Sequence, residues 1–184
     1  MRLKKEAQLI LGGIMLALAL ALPIAFHLVG LGSSFLPMFY PIILAGLLLE
    51  LKVASLVGSL APLISSWLTG MPPLFPPIAF VMMVEGLVMT SVAFLTYQKK
   101  KMNIYLSLIF IVLAERITLL ILVLFISSWL ELPSLVLGPA SLLKGLPGII
   151  IIFLLIPPLT KKIEERIGQS PFLTVPGGRE NDKI

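Results

Sequence analysis

The sequence predicts an all-α integral membrane protein, a bundle of six transmembrane helices with both termini in the cytoplasm. Three observations carry that expectation. The chain is almost continuously apolar from Leu9 to Thr160: of 184 residues, 58% are hydrophobic and 12% charged, and the mean hydropathy is +1.08. Soluble proteins carry about 25% charged residues. Breakers punctuate the apolar stretch at intervals that leave most segments near the ~20 residues needed to cross a hydrocarbon core. Lysine and arginine gather in alternate gaps, as the positive-inside rule requires of a chain that crosses repeatedly.

The first helix is expected over about Ala7 to Leu28 and ends at the turn Gly30-Leu31-Gly32-Ser33-Ser34. Arg2, Lys4 and Lys5 precede it, and triplets such as Ala19-Leu20-Ala21 resemble cleavage sites. A retained signal-anchor is the simpler reading, because the run is long enough to span and more spans follow. The second helix, about Leu36 to Leu49, is short for a span, and Pro37 and Pro41 point to an irregular or tilted outer end. The third runs from about Val53 to Thr69 and stops at Gly70-Met71-Pro72-Pro73-Leu74-Phe75-Pro76-Pro77. The fourth covers about Ile78 to Gln98, the fifth about Asn103 to Ser128 and the sixth about Pro139 to Thr160.

Charge decides whether the second helix spans. With six crossings, Arg2, Lys4, Lys5, Lys52, Lys99, Lys100, Lys101, Lys161, Lys162 and Arg166 all fall on the cytoplasmic side. With five, the triple lysine lies outside. Trp67 and Trp129 then mark the outer interface, and Tyr97 and Tyr105 the inner one. Residues 1–167 are read as the transmembrane domain, and residues 168–184, rich in glycine, proline and charge, as a disordered cytoplasmic tail.

Composition also excludes. The net charge of +5 is dispersed among loops rather than gathered into a stripe, so no nucleic-acid partner is implied. No cysteine is present and His27 is the single histidine, which removes thiolate sites and zinc clusters, and no metal or cofactor is expected. There is no phosphate-binding G-x-x-x-x-G-K-[ST] loop. The chain therefore cannot itself drive transport by ATP hydrolysis in the usual way, and any large-scale enzymology would come from a partner.

Ionisable residues inside a bilayer are costly and usually face a bundle interior or a polar cavity, which singles out Glu85, Glu115, Arg116 and Lys144. At 1.5 Å per residue, Glu85 lies roughly 10 Å and Lys144 roughly 8 Å below the expected outer ends of their helices. Arg116 lies near or outside the midplane of the fifth. One reading is an outward-open pocket, with Arg116 and Lys144 as donors to an anionic or carbonyl-rich ligand and Glu85 as acceptor. The other is interhelical ion pairing, Glu85 with Arg116 or Glu115 with Lys144. Glu115 and Arg116 sit about 100° apart on their helix and are not expected to point at one place. His27 is read as an interfacial polar residue ahead of a ligand contact. The Gly70 to Pro77 loop suits equally a lid and a stiff hairpin.

On the first helix Ala17, Ala21 and Ala25 recur every four residues, a flat strip that lets another helix approach closely. Spacing does not say whose helix that is, and packing inside the chain is the simpler assumption.

The order of several short stretches resembles the substrate-binding S component of energy-coupling factor (ECF) transporters, in the group with the riboflavin-type S-component domain. They are Pro41-Ile42-Ile43-Leu44-Ala45-Gly46, Gly58-Ser59-Leu60-Ala61-Pro62-Leu63, Gly70-Met71-Pro72-Pro73-Leu74-Phe75-Pro76, Glu85-Gly86, Ala114-Glu115-Arg116-Ile117 and Gly145-Leu146-Pro147-Gly148-Ile149-Ile150. Together they cover most of the chain. The resemblance implies a multi-pass protein of the cell membrane that captures a small water-soluble vitamin or vitamin precursor from outside. It implies as partners a coupling transmembrane subunit and two ABC ATPases, besides the surrounding membrane lipid. It also implies that Ala17, Ala21 and Ala25 meet the coupling subunit. The ligand pocket is then bounded by the loops between the first and second and the third and fourth helices. The ligand is left open among riboflavin, pantothenate, a cobalamin precursor and other heterocycles. A membrane scaffold or assembly protein without a small ligand is the alternative from a different class.

Overall fold

A computed structural model describes residues 2–28, 30, 35–75, 77–130, 145–169 and 173–174, and its long apolar segments are helical. Helix α1 is Lys5–Leu28, α2 is Phe39–Leu48 and α3 is Leu51–Thr69. Helix α4 is Ile78–Ala93 and continues as a π-helical turn, Phe94–Lys99. Helix α5 is Ile104–Leu130 and α6 is Leu146–Gly168. Five of these helices are long and apolar enough to cross a membrane, and α2 is the shorter exception. Strands β1, Arg2–Leu3, and β2, Leu173–Thr174, form a two-residue antiparallel pair, and the rest of the tail after Gln169 lies outside the described residues.

The sixth helix differs most from expectation. It starts at Leu146, with a proline in its first two positions, where the missing N–H has no intrahelical partner to lose. It runs past Thr160 to Gly168 because Lys161, Lys162, Glu164, Glu165 and Arg166 are good helix formers that continue the rod beyond the apolar segment. The expected start at Pro139, together with Lys144, falls outside the described residues.

Helix α2 starts later than expected because Leu36 adopts a left-handed backbone with φ 52°, which no α-helix continues through. Pro41 is tolerated at the third helical position, inside the first turn, where backbone N–H groups have no i−4 partner. Every residue from Phe39 to Leu47 is buried. A ten-residue apolar helix with no lipid-facing side is the core around which the longer helices stand.

Helices α3 and α4 cross where Gly58 meets Gly86: a Cβ on Gly86 would lie 2.1 Å from the Gly58 carbonyl oxygen, and one on Gly58 2.5 Å from that of Gly86. Only glycine permits this backbone contact, the close approach that substitutes for hydrophobic drive between helices in lipid. Helix α1 turns Ala7, Gln8, Gly12, Met15, Ala19 and Pro23 inward. Ala17, Ala21 and Ala25 are exposed on the opposite side, as is Gly13. The packing of this strip inside the chain is thus corrected: the 3.6-residue period puts Met15 and Ala19, not the alanine strip, on the inward face.

The end of the bundle where α1 starts and α6 finishes is closed by two glutamine side chains. The Gln98 amide nitrogen donates to the carbonyls of Gly46 at 2.9 Å and Leu49 at 2.6 Å. It thereby satisfies acceptors that a helix end leaves without intrahelical partners. Buried Gln8 accepts from the Glu50 N–H at 2.9 Å, across the α2–α3 junction. Nearby, the Tyr97 hydroxyl donates to the Glu164 carboxylate, whose oxygens lie 3.0 and 3.1 Å away, and so ties α4 to α6.

Candidate functional site

At the opposite end the helices splay around a cavity of about 580 Å³. One wall is the end of α1, with Pro23, Ile24 and His27, and another is the segment from Leu36 to Phe39. The third is Ser65 and Thr69 of α3 with the loop Met71, Pro72 and Pro73, and Met82 of α4 completes the enclosure.

Each wall is fastened. The Tyr40 hydroxyl donates to the Phe35 carbonyl, and the rings of Phe26 and Phe35 meet at 5.9 Å between centroids, 47° apart in plane, so the 35–38 segment is tied to α1 and α2. From the far side α6 presses on it: a Cβ on Gly148 would come within 2.6 Å of the Phe35 carbonyl oxygen. Gly70 ends α3 in the left-handed conformation, with φ 70°, and the chain then folds back. The Ser65 hydroxyl donates to the Met71 carbonyl at 2.7 Å. The Thr69 hydroxyl donates to the Ser65 carbonyl at 2.8 Å and accepts from the Met71 N–H at 3.2 Å. The proline-rich loop is therefore stapled over the α3 end by two hydroxyls one turn apart.

The lining is apolar apart from His27, Ser65 and Thr69. The imidazole offers one donor and one acceptor, and each hydroxyl keeps acceptor capacity beyond its bond to the loop. Such a surface suits a flat or compact ligand that is largely apolar and carries a few polar groups near its rim.

Beside the cavity lies a buried charged cluster. Glu85 is 2% exposed and Glu115 3%. The Arg116 Nε sits 3.0 Å from Glu115 Oε2. Glu85 is within Coulombic reach of both, and its Oε1 has no hydrogen-bond partner among the described residues. The expectation that Glu115 and Arg116 point apart is corrected: the long arginine side chain bends back across the 100° step, because an unpaired charge in an apolar interior is far costlier than that rotamer. The guanidinium also packs on the start of α6. A Cβ on Gly145 would lie 2.6 Å from Arg116 Nη2 and 3.0 Å from Leu36 Cδ1.

Of the expected site residues, the structure thus brings Glu85 and Arg116 into one cluster, while Lys144 lies outside the described residues. Neither Glu85 nor Arg116 is in the cavity wall, but Leu36 serves both places, as wall and as neighbour of the guanidinium. Met82 lines the cavity one helical turn from Glu85. Sequence reasoning missed Ser65 and Thr69 and ranked His27 below an interfacial role. The available signal was weak: two hydroxyls at i and i+4 just before a glycine and paired prolines. Among the described residues no group of His, Asp or Glu is arranged to hold a metal ion.

Comparison with curated proteins and with solved structures gives no match. Residues 7–160, from the first turns of α1 into α6, match the family described as ECF transporter, substrate-specific component. That stretch contains every helix that builds the cavity, and the chain belongs to the ECF transporter substrate-specific component family.

Proposed function

We propose that this protein captures a small water-soluble vitamin or vitamin precursor from outside the cell and holds it in the cavity between the α1 end, residues 36–39 and the stapled loop after α3. The observation that carries the reading is that enclosure: its volume of about 580 Å³ falls in the range of small-molecule sites, roughly 300–1,000 Å³. His27, Ser65 and Thr69 are the polar contacts we assign to it. Arg116 and Glu85 act from behind Leu36, orienting or receiving an anionic or carbonyl-bearing edge of the ligand when that side chain yields, and Lys144 precedes the same α6 start. The left-handed backbone of Leu36 supports this role, since a non-glycine residue held there costs about 1–2 kcal/mol, and such strain collects at ligand clamps.

The protein works in the cell membrane with a coupling transmembrane subunit and two ABC ATPases, as a riboflavin-type S component. The exposed strip Ala17, Ala21 and Ala25, extended by Gly13, is the surface for the coupling subunit: among the described residues it packs on no other helix, and it is flat enough for a partner helix. The chain crosses six times, with both termini cytoplasmic. Helix α2 makes one crossing inside a sheath of other helices, its ~15 Å length prolonged by the non-helical flanks at 36–38 and 49–50.

A thermal-shift screen of the purified protein against water-soluble vitamins and their precursors tests the reading. A true ligand at about 100 times its dissociation constant adds roughly 2.7 kcal/mol of stability. A panel without any stabilising compound, on protein shown to be folded, refutes it.

A further inference from the structure

At the end where α1 starts and α6 finishes, a second cavity of about 530 Å³ lies between the two helices. Ala7, Ile10 and Leu11 of α1 face Leu159 and Ile163 of α6 across it. The charged residues in its described lining are Lys162 and Arg166, both cationic and one helical turn apart. The acidic residues of the same helix stretch are turned elsewhere. The Glu164 carboxylate is engaged by the Tyr97 hydroxyl, and Glu165, like Glu6 of α1, takes no part in the lining. Gln8 points inward to the Glu50 N–H. The groove therefore has apolar walls, two cations at its mouth and no described anion inside.

Depth identifies what it meets. Counting 1.5 Å per residue from Leu146, Lys162 lies about 24 Å and Arg166 about 30 Å along α6. Glu164, between these two cations, meets the Tyr97 hydroxyl just before the run Lys99, Lys100 and Lys101, so Lys162 and Arg166 sit at the phosphate level of the interface where lysine collects. Leu159 lies about 5 Å nearer the core than Lys162, at the level of acyl chains, and Ile163 sits between the two cations. Lys4 and Lys5 are exposed at the same end and add to the positive potential there.

We propose that this groove binds one anionic phospholipid, with an acyl chain between α1 and α6 and the headgroup phosphate on Lys162 and Arg166. Charge complementarity selects this occupant. A zwitterionic lipid brings its own ammonium to two cations, and an apolar helix from a partner leaves both of them unanswered. The site is on the other end of the molecule from the vitamin cavity and does not depend on how that cavity is used.

Native mass spectrometry of the full-length protein, delipidated in detergent and titrated with phosphatidylglycerol or phosphatidylcholine, tests the assignment. The wild type retains one phosphatidylglycerol in preference to phosphatidylcholine, and an excess of inorganic phosphate does not displace it. Lys162→Gln with Arg166→Gln, two exposed positions whose loss leaves the melting temperature unchanged, weakens phosphatidylglycerol retention about tenfold or more and leaves phosphatidylcholine as it was. Ile10→Trp, which fills the groove from the opposite wall, lowers retention while both cations remain. Equal retention of the two lipids, release by phosphate alone, or wild-type retention by either variant overturns the proposal. So does loss of coupling-subunit co-purification in the double variant with lipid binding intact, which makes the groove a protein interface instead.

Discussion

The two ends of the bundle are built from the same helices and solve opposite problems. At the terminal end, Gln98 answers two backbone carbonyls and Gln8 one backbone N–H, so these backbone groups of the α2–α3 junction are satisfied. At the cavity end, the hydroxyls of Ser65 and Thr69 fasten a loop back over α3, and Leu36 holds a strained backbone beside an open volume. The difference teaches where rigidity is placed. Long amide side chains that reach across helices lock one end, and short hydroxyls acting within one turn fasten a loop beside an open cavity at the other.

Substitutions at graded distances from the two ends test this contrast. The largest effect is expected at the crossing they share. Gly86→Leu drives a side chain into a carbonyl that a bare Cβ already meets at 2.1 Å; the cost exceeds the ~1–3 kcal/mol of ordinary overpacking. No folded monodisperse protein is expected on size exclusion, and a folded variant breaks the account of the crossing. Next comes Arg116→Met, which leaves Glu115 buried without its 3.0 Å partner and costs about 3–5 kcal/mol. Adding Glu115→Leu is expected to recover most of that loss in thermal melts, and a double variant as unstable as the single one denies the pair its structural role.

At the terminal end, Gln98→Leu strands the Gly46 and Leu49 carbonyls. The expected loss is about 2–4 kcal/mol, from two unsatisfied acceptors, with ligand affinity unchanged. A large fall in affinity would merge the two ends into one coupled unit. At the cavity end, Thr69→Val reverses the pattern: about 1 kcal/mol of stability and roughly a five- to tenfold weaker ligand affinity, read by calorimetry. Ala17→Trp has the smallest effect on the isolated protein, within about 0.5 kcal/mol, because its side chain is exposed. It is expected to abolish uptake in whole cells while ligand binding persists. Loss of binding together with uptake returns the strip to the interior.

Apolar runs and proline or glycine breakers were enough to place α1, α3, α4 and α5 within a few residues of where they are found, because length and hydropathy answer directly to the bilayer. They do not rank those helices by burial. Lipid tails are as apolar as leucine, so nothing in Pro41-Ile42-Ile43-Leu44 announces that α2 is enclosed while Leu113, Ile117, Leu120 and Leu124 of α5 face outward. The charged residues were legible as a group because each is costly, yet their pairing was not, since the reach of Arg116 depends on what surrounds it. Gln8 and Gln98 were invisible as clamps. An amide near a membrane interface reads as ordinary surface until the carbonyls it meets, 49 and 52 residues away, are brought beside it.

The π-helical turn at Phe94–Lys99 carries a consequence for the phase of α4. A widened turn accommodates an extra residue, and each residue of an α-helix advances the azimuth by about 100°. Winding these same residues as a uniform α-helix, with none deleted, would rotate the end of the segment and all that follows by that angle. Gln98 would swing off α2 and Tyr97 off Glu164 in a single step, while Met82, Glu85 and Gly86 upstream kept their bearings. The turn thus separates two azimuthal frames along one rod, and the terminal end can be re-indexed without moving a residue of the cavity.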